Sequence, residues 1–269
     1  LASPVPVAPI IDYTLSPRLK QHLRFHSRFL PDDRDLSVYL PPGYDDSRQY
    51  PVLYLHDGQN LFDPHTSFIP GRTWQVAETA DAAIEAGEVE PLLIVGIANT
   101  GERRMSEYTP TRDWNLGGGE GAKYGQLITH DLMPFIAARY PVRPGPASTG
   151  LGGSSLGGLI TLYLGLEYPQ YFGRLAVLSP SLWWNHKAML GYVNQTNPGL
   201  GPRPRIWLDV GDGEGRQTLS DANLLARRLE AKGWRAGKDL EYRRIVGGCH
   251  DEVSWAKRVR PMLRFLFPA

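Results

Sequence analysis

The 269-residue sequence has one cysteine, Cys249, which excludes an intrachain disulfide framework and is too few for a cysteine zinc site. It also lacks a prevailing charge. Its 29 Lys and Arg stand against 28 Asp and Glu, for a net +1, so no broad field gathers nucleic acid or an anionic surface. No apolar run reaches the ~20 residues needed to span a bilayer. There is no internal repeat, no long low-complexity tract and no convincing linker. The opening segment, Leu1 to Pro9, has neither the basic n-region nor the long apolar h-region of an export signal. A cytoplasmic protein and an exported one whose signal was removed upstream of Leu1 both fit, so the compartment stays open.

What is present is ordinary globular composition, 42% hydrophobic and 21% charged. A chain of this length can bury one large core. The expected organisation is an N-terminal extension over 1–18 and a single catalytic domain over 19–269. Leu19 to Leu30 and Leu36 to Leu40 alternate or run apolar around the charged turn Pro31 to Asp35, which predicts a hairpin. Pro51 to Leu55 and Leu92 to Ala98 are short apolar runs of the kind buried on both faces of a sheet. Between them a helix is expected from Trp74 to Ala86, stopped by Gly87.

Tyr124 to Tyr140 has helical spacing, with Pro134 expected to kink it or mark a boundary. Further helices are expected at Gly158 to Tyr168, Asp221 to Lys232 and Val253 to Phe267, the last broken near Pro261. Strands are expected at Leu175 to Ser179, Ile206 to Val210 and Leu240 to Val246. Buried strands alternating with amphipathic helices define an α/β fold. Its sheet should be mostly parallel, with helices on both faces and antiparallel first strands.

Gly153, Ser154, Ser155, Leu156 and Gly157 spell G-x-S-x-G between a strand candidate and an apolar helix. This pattern lifts a serine on a strained turn where strand and helix approach closely, so small neighbours are required, and Gly152, Gly153, Gly157 and Gly158 supply that room. Ser155 is the nucleophile candidate and Ser154, one place off the pattern, the runner-up. The helix points its positive end at Ser155, and the Leu156 N–H is placed to hold an oxyanion.

A serine needs a base, and on this kind of fold the order along the chain is serine, acid, histidine. Only His186 and His250 follow Ser155. His250 sits in a loop beyond a strand end, where open α/β sheets keep their chemistry, whereas His186 reads as an exposed loop histidine. The strand Ile206 to Val210 leads into Gly211, Asp212, Gly213 and Glu214. Spacing does not choose between Asp212 and Glu214, and Asp209, inside the strand, is the weaker option. No metal is assigned, because Asp212 to Gly215 lacks the ligand spacing of an EF-hand, and no cofactor is expected.

With these residues in place, the chain resembles an esterase family of α/β hydrolases that includes enterochelin esterases, feruloyl esterases, S-formylglutathione hydrolases and, more distantly, mycolyltransferases. The resemblance spans roughly Ser37 to Phe267. It rests on Val38 to Tyr44, on Tyr54, Leu55, His56, Asp57 and Gly58, on the Gly153 to Gly158 turn, and on Gly247, Gly248, His250, Glu252 and Trp255.

The resemblance implies the α/β-hydrolase fold and a serine carboxylesterase acting on a small-molecule ester. It favours Glu214 as the acid, in a place where family members more often carry Asp. It also puts the second oxyanion N–H in the loop after Tyr54 and Leu55, at the backbone of Gly58 or Gln59. His56 and Asp57 are expected to fix that loop through hydrogen bonds.

The loop after Leu92 to Ala98 carries Asn99, Arg103, Arg104, Glu107 and Tyr108. Arg103 and Arg104 are candidates to meet a substrate, with a surface ion pair the equal alternative. Trp183 and Trp184 are candidates to wall an acyl or aromatic pocket, with core packing the alternative for one of them. Trp74 is a weaker pocket candidate. An acyltransferase using the same serine, and a binding protein on a hydrolase fold, are the rival functions. Oligomeric state is not legible.

Overall fold

The computed structural model describes residues 16–196 and 203–269. Most of the expected N-terminal extension, residues 1–15, lies outside the described residues. The strands are β1 (Leu19–Phe25), β2 (Arg34–Tyr39), β3 (Val52–His56), β4 (Leu93–Ile97), β5 (Arg112–Asp113), β6 (Gly117–Gly118), β7 (Thr149–Ser154), β8 (Arg174–Leu178), β9 (Arg205–Gly211) and β10 (Leu240–Ile245). The helices are α1 (Val76–Glu85), α2 (Arg104–Glu107), α3 (Gly121–Gln126), α4 (Met133–Ala137), α5 (Leu156–Glu167), α6 (Trp184–Gln195), α7 (Arg216–Ala231) and α8 (Glu252–Leu266).

Eight strands form one sheet in the order β1-β2-β4-β3-β7-β8-β9-β10, and β5 and β6 pair as a separate ribbon. The β1–β2 and β2–β4 pairs are antiparallel. All pairs from β4 to β10 are parallel. Side chains alternate across each strand, so the sheet feeds two cores. Val38, Tyr54, Val95 and Leu151 face the core shared with α5 and α7. Tyr39, Leu53, Leu55 and Ile94 face the core shared with α1 and α8. Helix α5 leaves β7 and is almost wholly buried, which pins the turn that precedes it. This is the α/β-hydrolase fold.

The end of β1, the start of α7 and the effect of Pro261 differ from the sequence expectations, and the boundary at Pro134 agrees with them. β1 ends at Phe25 rather than Leu30, because the register shifts between His22 and Phe25 and Arg24 takes φ 56. Beyond it Ser27 hydrogen-bonds Asp131 at 2.8 Å and Leu30 is buried, so the apolar residues there serve packing and not the ladder. Helix α7 starts at Arg216, ahead of the expected Asp221. Pro134 does mark a boundary, as the second residue of α4 after a π-helical turn over Leu127–Leu132. Pro261, by contrast, does not break α8. The bond it forgoes is that of the carbonyl one turn back, at Lys257, which is an exposed residue where water can replace the lost donor.

Candidate active site

Ser155 sits between β7 and α5 with φ 60 and ψ −122, backbone that a non-glycine residue adopts at a cost on the order of 1–3 kcal/mol. The surroundings impose it. The Ser155 N–H donates to Leu178 O at 3.0 Å and its carbonyl accepts from the Ser181 N–H at 3.0 Å. A Cβ on Gly158 would lie 2.8 Å from Leu178 O, so glycine is what lets α5 start this close to β8. Leu156 is the first residue of α5, so its N–H belongs to the group a helix leaves without internal acceptors. The Ser155 hydroxyl lies 3.1 Å from Ser181 Oγ and does not hydrogen-bond the imidazole in this structure. Ser154, the alternative, is buried at the end of β7.

After β9 the chain makes a short turn over Asp212–Glu214. Glu214 Oε2 lies 2.7 Å from His250 Nδ1. Its other oxygen accepts from Ser179 Oγ at 2.6 Å and from the Gly211 N–H at 2.7 Å. Burial works to raise this carboxyl, but the bonds from His250, Ser179 and Gly211 outweigh it and bring it from 4.5 down to about 2. The His250 ring is half exposed on one side and meets the edge of Trp255 at 4.9 Å on the other. With Nδ1 facing Glu214, Nε2 is the nitrogen left for a reacting group.

Ser155 and His250 lie beyond the carboxyl ends of the parallel strands: Ser155 is bonded to Leu178, and the adjacent Ser179 is bonded to the carboxylate that holds His250. Asp212 does not reach the imidazole. It accepts from the Gly247 N–H at 2.8 Å and pairs with Arg244 at 3.4 Å, bracing the turn that opens the histidine loop. Asp209 is buried against Arg258 and Trp207. His186 is exposed at the start of α6.

On the other side of Ser155 lies the loop after β3. Asp57 has φ 56 and its carboxylate is fully engaged. Arg104 meets it with two bonds, of 2.7 and 2.8 Å, and Asn99 adds a third at 2.7 Å. A Cβ on Gly58 would stand 2.6 Å from the Gly96 carbonyl carbon, so this loop is drawn tightly over β4. Gly58 and Gln59 open a short helical turn, which leaves their N–H groups near a helix start. His56 is buried with Nδ1 2.9 Å from the Tyr124 hydroxyl, and burial pushes it down to about 3. Burial thus keeps it neutral and makes it a weak proton acceptor.

Both candidate arginines are committed to ion pairs: Arg104 to Asp57, and Arg103 to Asp32 at 3.1 Å and Glu120 at 2.7 Å. Glu107 is paired with Arg34 in the interior, and the Tyr108 hydroxyl accepts from the Asp57 N–H. The two tryptophans part company. Trp184 is core, its indole N–H bonded to Thr111 O at 2.8 Å. Trp183 is half exposed and lines an open cavity of about 450 Å³ with Asp113, Leu116, Asn185, His186 and Lys187. Trp74 is buried against Trp255.

Two features escaped sequence reasoning. The β5–β6 ribbon, with Trp114 95% exposed at its tip, has strands too short to show alternation. Arg258, 1% exposed, lies among the acid and histidine loops. Its signal was available: it stands on the apolar stripe of α8, three residues after Trp255 and four before Met262. Among the described residues, no three of His, Cys, Asp and Glu converge as a metal-ligand set, and no helix is long and apolar enough to cross a membrane.

A serine on a strand–turn–helix and an imidazole backed by a carboxylate thus lie beyond the carboxyl ends of the parallel strands of an α/β-hydrolase fold. A family model described as "Putative esterase" matches residues 27–266. The chain belongs to that family and is a carboxylic ester hydrolase. It is 32% identical to the Bacillus subtilis protein YbbA over 195 residues, covering 70% of this chain and 72% of that protein. It is 30% identical to an iron(III) salmochelin esterase of Escherichia coli over 236 residues, 82% of this chain but 51% of the relative, so it spans about half of that protein. Among solved structures it is similar to the BES protein of Bacillus cereus, with a TM-score of 0.76, 22% identity, and coverage of 98% and 100% of the two chains. The Shigella flexneri enterobactin esterase FES shares the fold, with a TM-score of 0.72, 21% identity, and coverage of 97% of this chain and 60% of that one.

Proposed function

We propose that this hydrolase cleaves a small-molecule carboxylic ester through an acyl-enzyme on Ser155, with His250 as general base and Glu214 as the acid that orients it. The observation that carries the reading is the 2.7 Å contact between His250 Nδ1 and Glu214 Oε2 beyond the carboxyl ends of the strands, the side on which Ser155 is raised. Such a contact holds the proton on Nδ1 and leaves Nε2 able to accept another.

Rotation of the Ser155 side chain away from Ser181 brings its hydroxyl to Nε2, and apo serine hydrolases often keep this bond loose. Nε2 takes the hydroxyl proton as Ser155 Oγ attacks the ester carbonyl carbon. The resulting oxyanion is held by the N–H of Leu156 together with that of Gln59 or Gly58. The imidazolium then protonates the departing alcohol, leaving the acyl group on Ser155. Water gives a proton to Nε2, attacks the acyl carbonyl, and Ser155 is released with its proton returned. Glu214, ionised throughout the neutral range, stabilises each imidazolium.

Relatives named for iron(III) salmochelin and enterobactin support a small-molecule ester as substrate, and the indole of Trp183 beside Leu116 offers it broad apolar contact. The test is hydrolysis of short p-nitrophenyl esters by wild type and Ser155→Ala. The variant should fall to the buffer rate. An unchanged rate would remove Ser155 from the chemistry.

A further inference from the structure

We infer that Arg258 is the positioning residue of this site: one guanidinium in α8 that holds the acid and the backbone carrying the base in a fixed relation. This rests on the Ser155, His250 and Glu214 reading above. The Arg258 side chain is 1% exposed and its hydrogen-bond contacts reach five residues. Nη1 donates to Asp209 Oδ1 at 2.7 Å and to Ser179 Oγ at 2.7 Å. Nη2, with two hydrogens shared among three acceptors, lies 3.3 Å from Glu214 Oε1, 3.1 Å from Cys249 O and 3.0 Å from Ser254 Oγ. Asp209 therefore balances its charge, while the other fork reaches the far oxygen of the acid and the peptide oxygen immediately before His250.

The division of labour on Glu214 follows. Arg258, Ser179 and the Gly211 N–H all take Oε1, so Oε2 is turned outward to the imidazole. Packing alone does not account for the residue. A leucine or methionine would extend the apolar stripe of Trp255, Val259 and Met262 without the cost of desolvating a charge. Arg258 also leaves its Nε buried without a hydrogen-bond partner among the described residues. Only a planar fork satisfies Asp209, Ser179, Glu214 and Cys249 at once; a lysine carries the charge but not the geometry.

The decisive variant is Arg258→Lys, which keeps the charge beside Asp209. Its kcat on p-nitrophenyl acetate should fall about 10-fold to 100-fold, since an ångström of misplacement costs that order, with KM within about twofold. The ¹⁵N shifts of the His250 ring should show the proton on Nδ1 in wild type and shared with Nε2 in the variant, a change that loss of stability alone would not produce. Should Arg258→Lys not fold, Asp209→Asn loosens the same guanidinium and should give the same ring signature with a smaller fall in kcat. A folded Arg258→Lys, or failing that Asp209→Asn, with wild-type kcat and tautomer overturns the inference. His250→Ala run alongside separates the two readings: if it keeps wild-type activity the triad assignment fails, and if it is dead while the Arg258 and Asp209 variants are normal only the positioning role fails.

Discussion

Two loops flank Ser155, and each carries a carboxylate gripped by an arginine: Asp57 by Arg104 and Glu214 by Arg258. The residue types match, but their partners do not. Oδ1 of Asp57 accepts from Arg104 and Asn99, and Oδ2 from Arg104. Neither oxygen meets an imidazole, and the ion pair holds a loop. Glu214 has one oxygen taken by the interior and one aimed at an imidazole. The two acid–arginine pairs thus differ in what the carboxylate meets on its outer side, a distinction residue identity alone cannot make.

The contrast can be broken experimentally, beginning with the largest effect. His250→Ala should lower kcat on the order of 10⁵-fold, the scale of losing a base that acts as a unit with the serine; steady-state hydrolysis of p-nitrophenyl acetate measures it. Glu214→Gln keeps the shape but withdraws the charge that orients the imidazole, and kcat should drop about 10³-fold to 10⁴-fold. Asp57→Asn should cost about 10²-fold in kcat, the scale of one disturbed oxyanion donor, with the His250 ring ¹⁵N shifts unmoved. If Asp57→Asn shifted the tautomer as Glu214→Gln does, the two loops would not be distinct in kind.

The acid side also makes a stability prediction. The Glu214 carboxyl is depressed in the folded protein, from 4.5 to about 2, so its contribution is present above its unfolded value and is lost as pH falls from there through the folded one. Denaturant unfolding should therefore show wild type losing roughly 2–3 kcal/mol more than Glu214→Gln between those two values. A common slope for both proteins would contradict the buried, ionised Glu214. Smallest of all, Asp212→Asn weakens only the brace on Gly247 and should leave kcat within about threefold, at a stability cost of roughly 1 kcal/mol.

How much of this was legible beforehand follows from what each segment has to announce. β3 and β4 are apolar on both faces, and their buried runs read directly. β7, written Thr-Gly-Leu-Gly-Gly-Ser, carries almost no strand propensity. It was found only through the serine motif, since its glycines answer to the close approach of α5 and not to the sheet. Helix α6 was not expected at all, and its first turn is hidden because Asn185, His186 and Lys187 all take positive φ, which those residue types do not advertise.

The order of the proposed serine, acid and histidine could be read along the chain. Spacing did not say which of Asp212 and Glu214 lies against the ring, because both follow the same strand; the family resemblance favoured Glu214, and the turn of Asp212–Glu214 turns that residue to the imidazole. Between a substrate contact and an ion pair for Arg104 the sequence did not choose, for a related reason. Its partner, Asp57, is far away in sequence, and only the sheet brings the loops after β3 and β4 side by side.

The account stands or falls on where an acyl-like group becomes attached. Incubating the protein with a fluorophosphonate and mapping the adduct by peptide mass spectrometry should place one label on Ser155, absent in Ser155→Ala and formed far more slowly in His250→Ala. A label on any other serine, or undiminished labelling of Ser155→Ala, would contradict it.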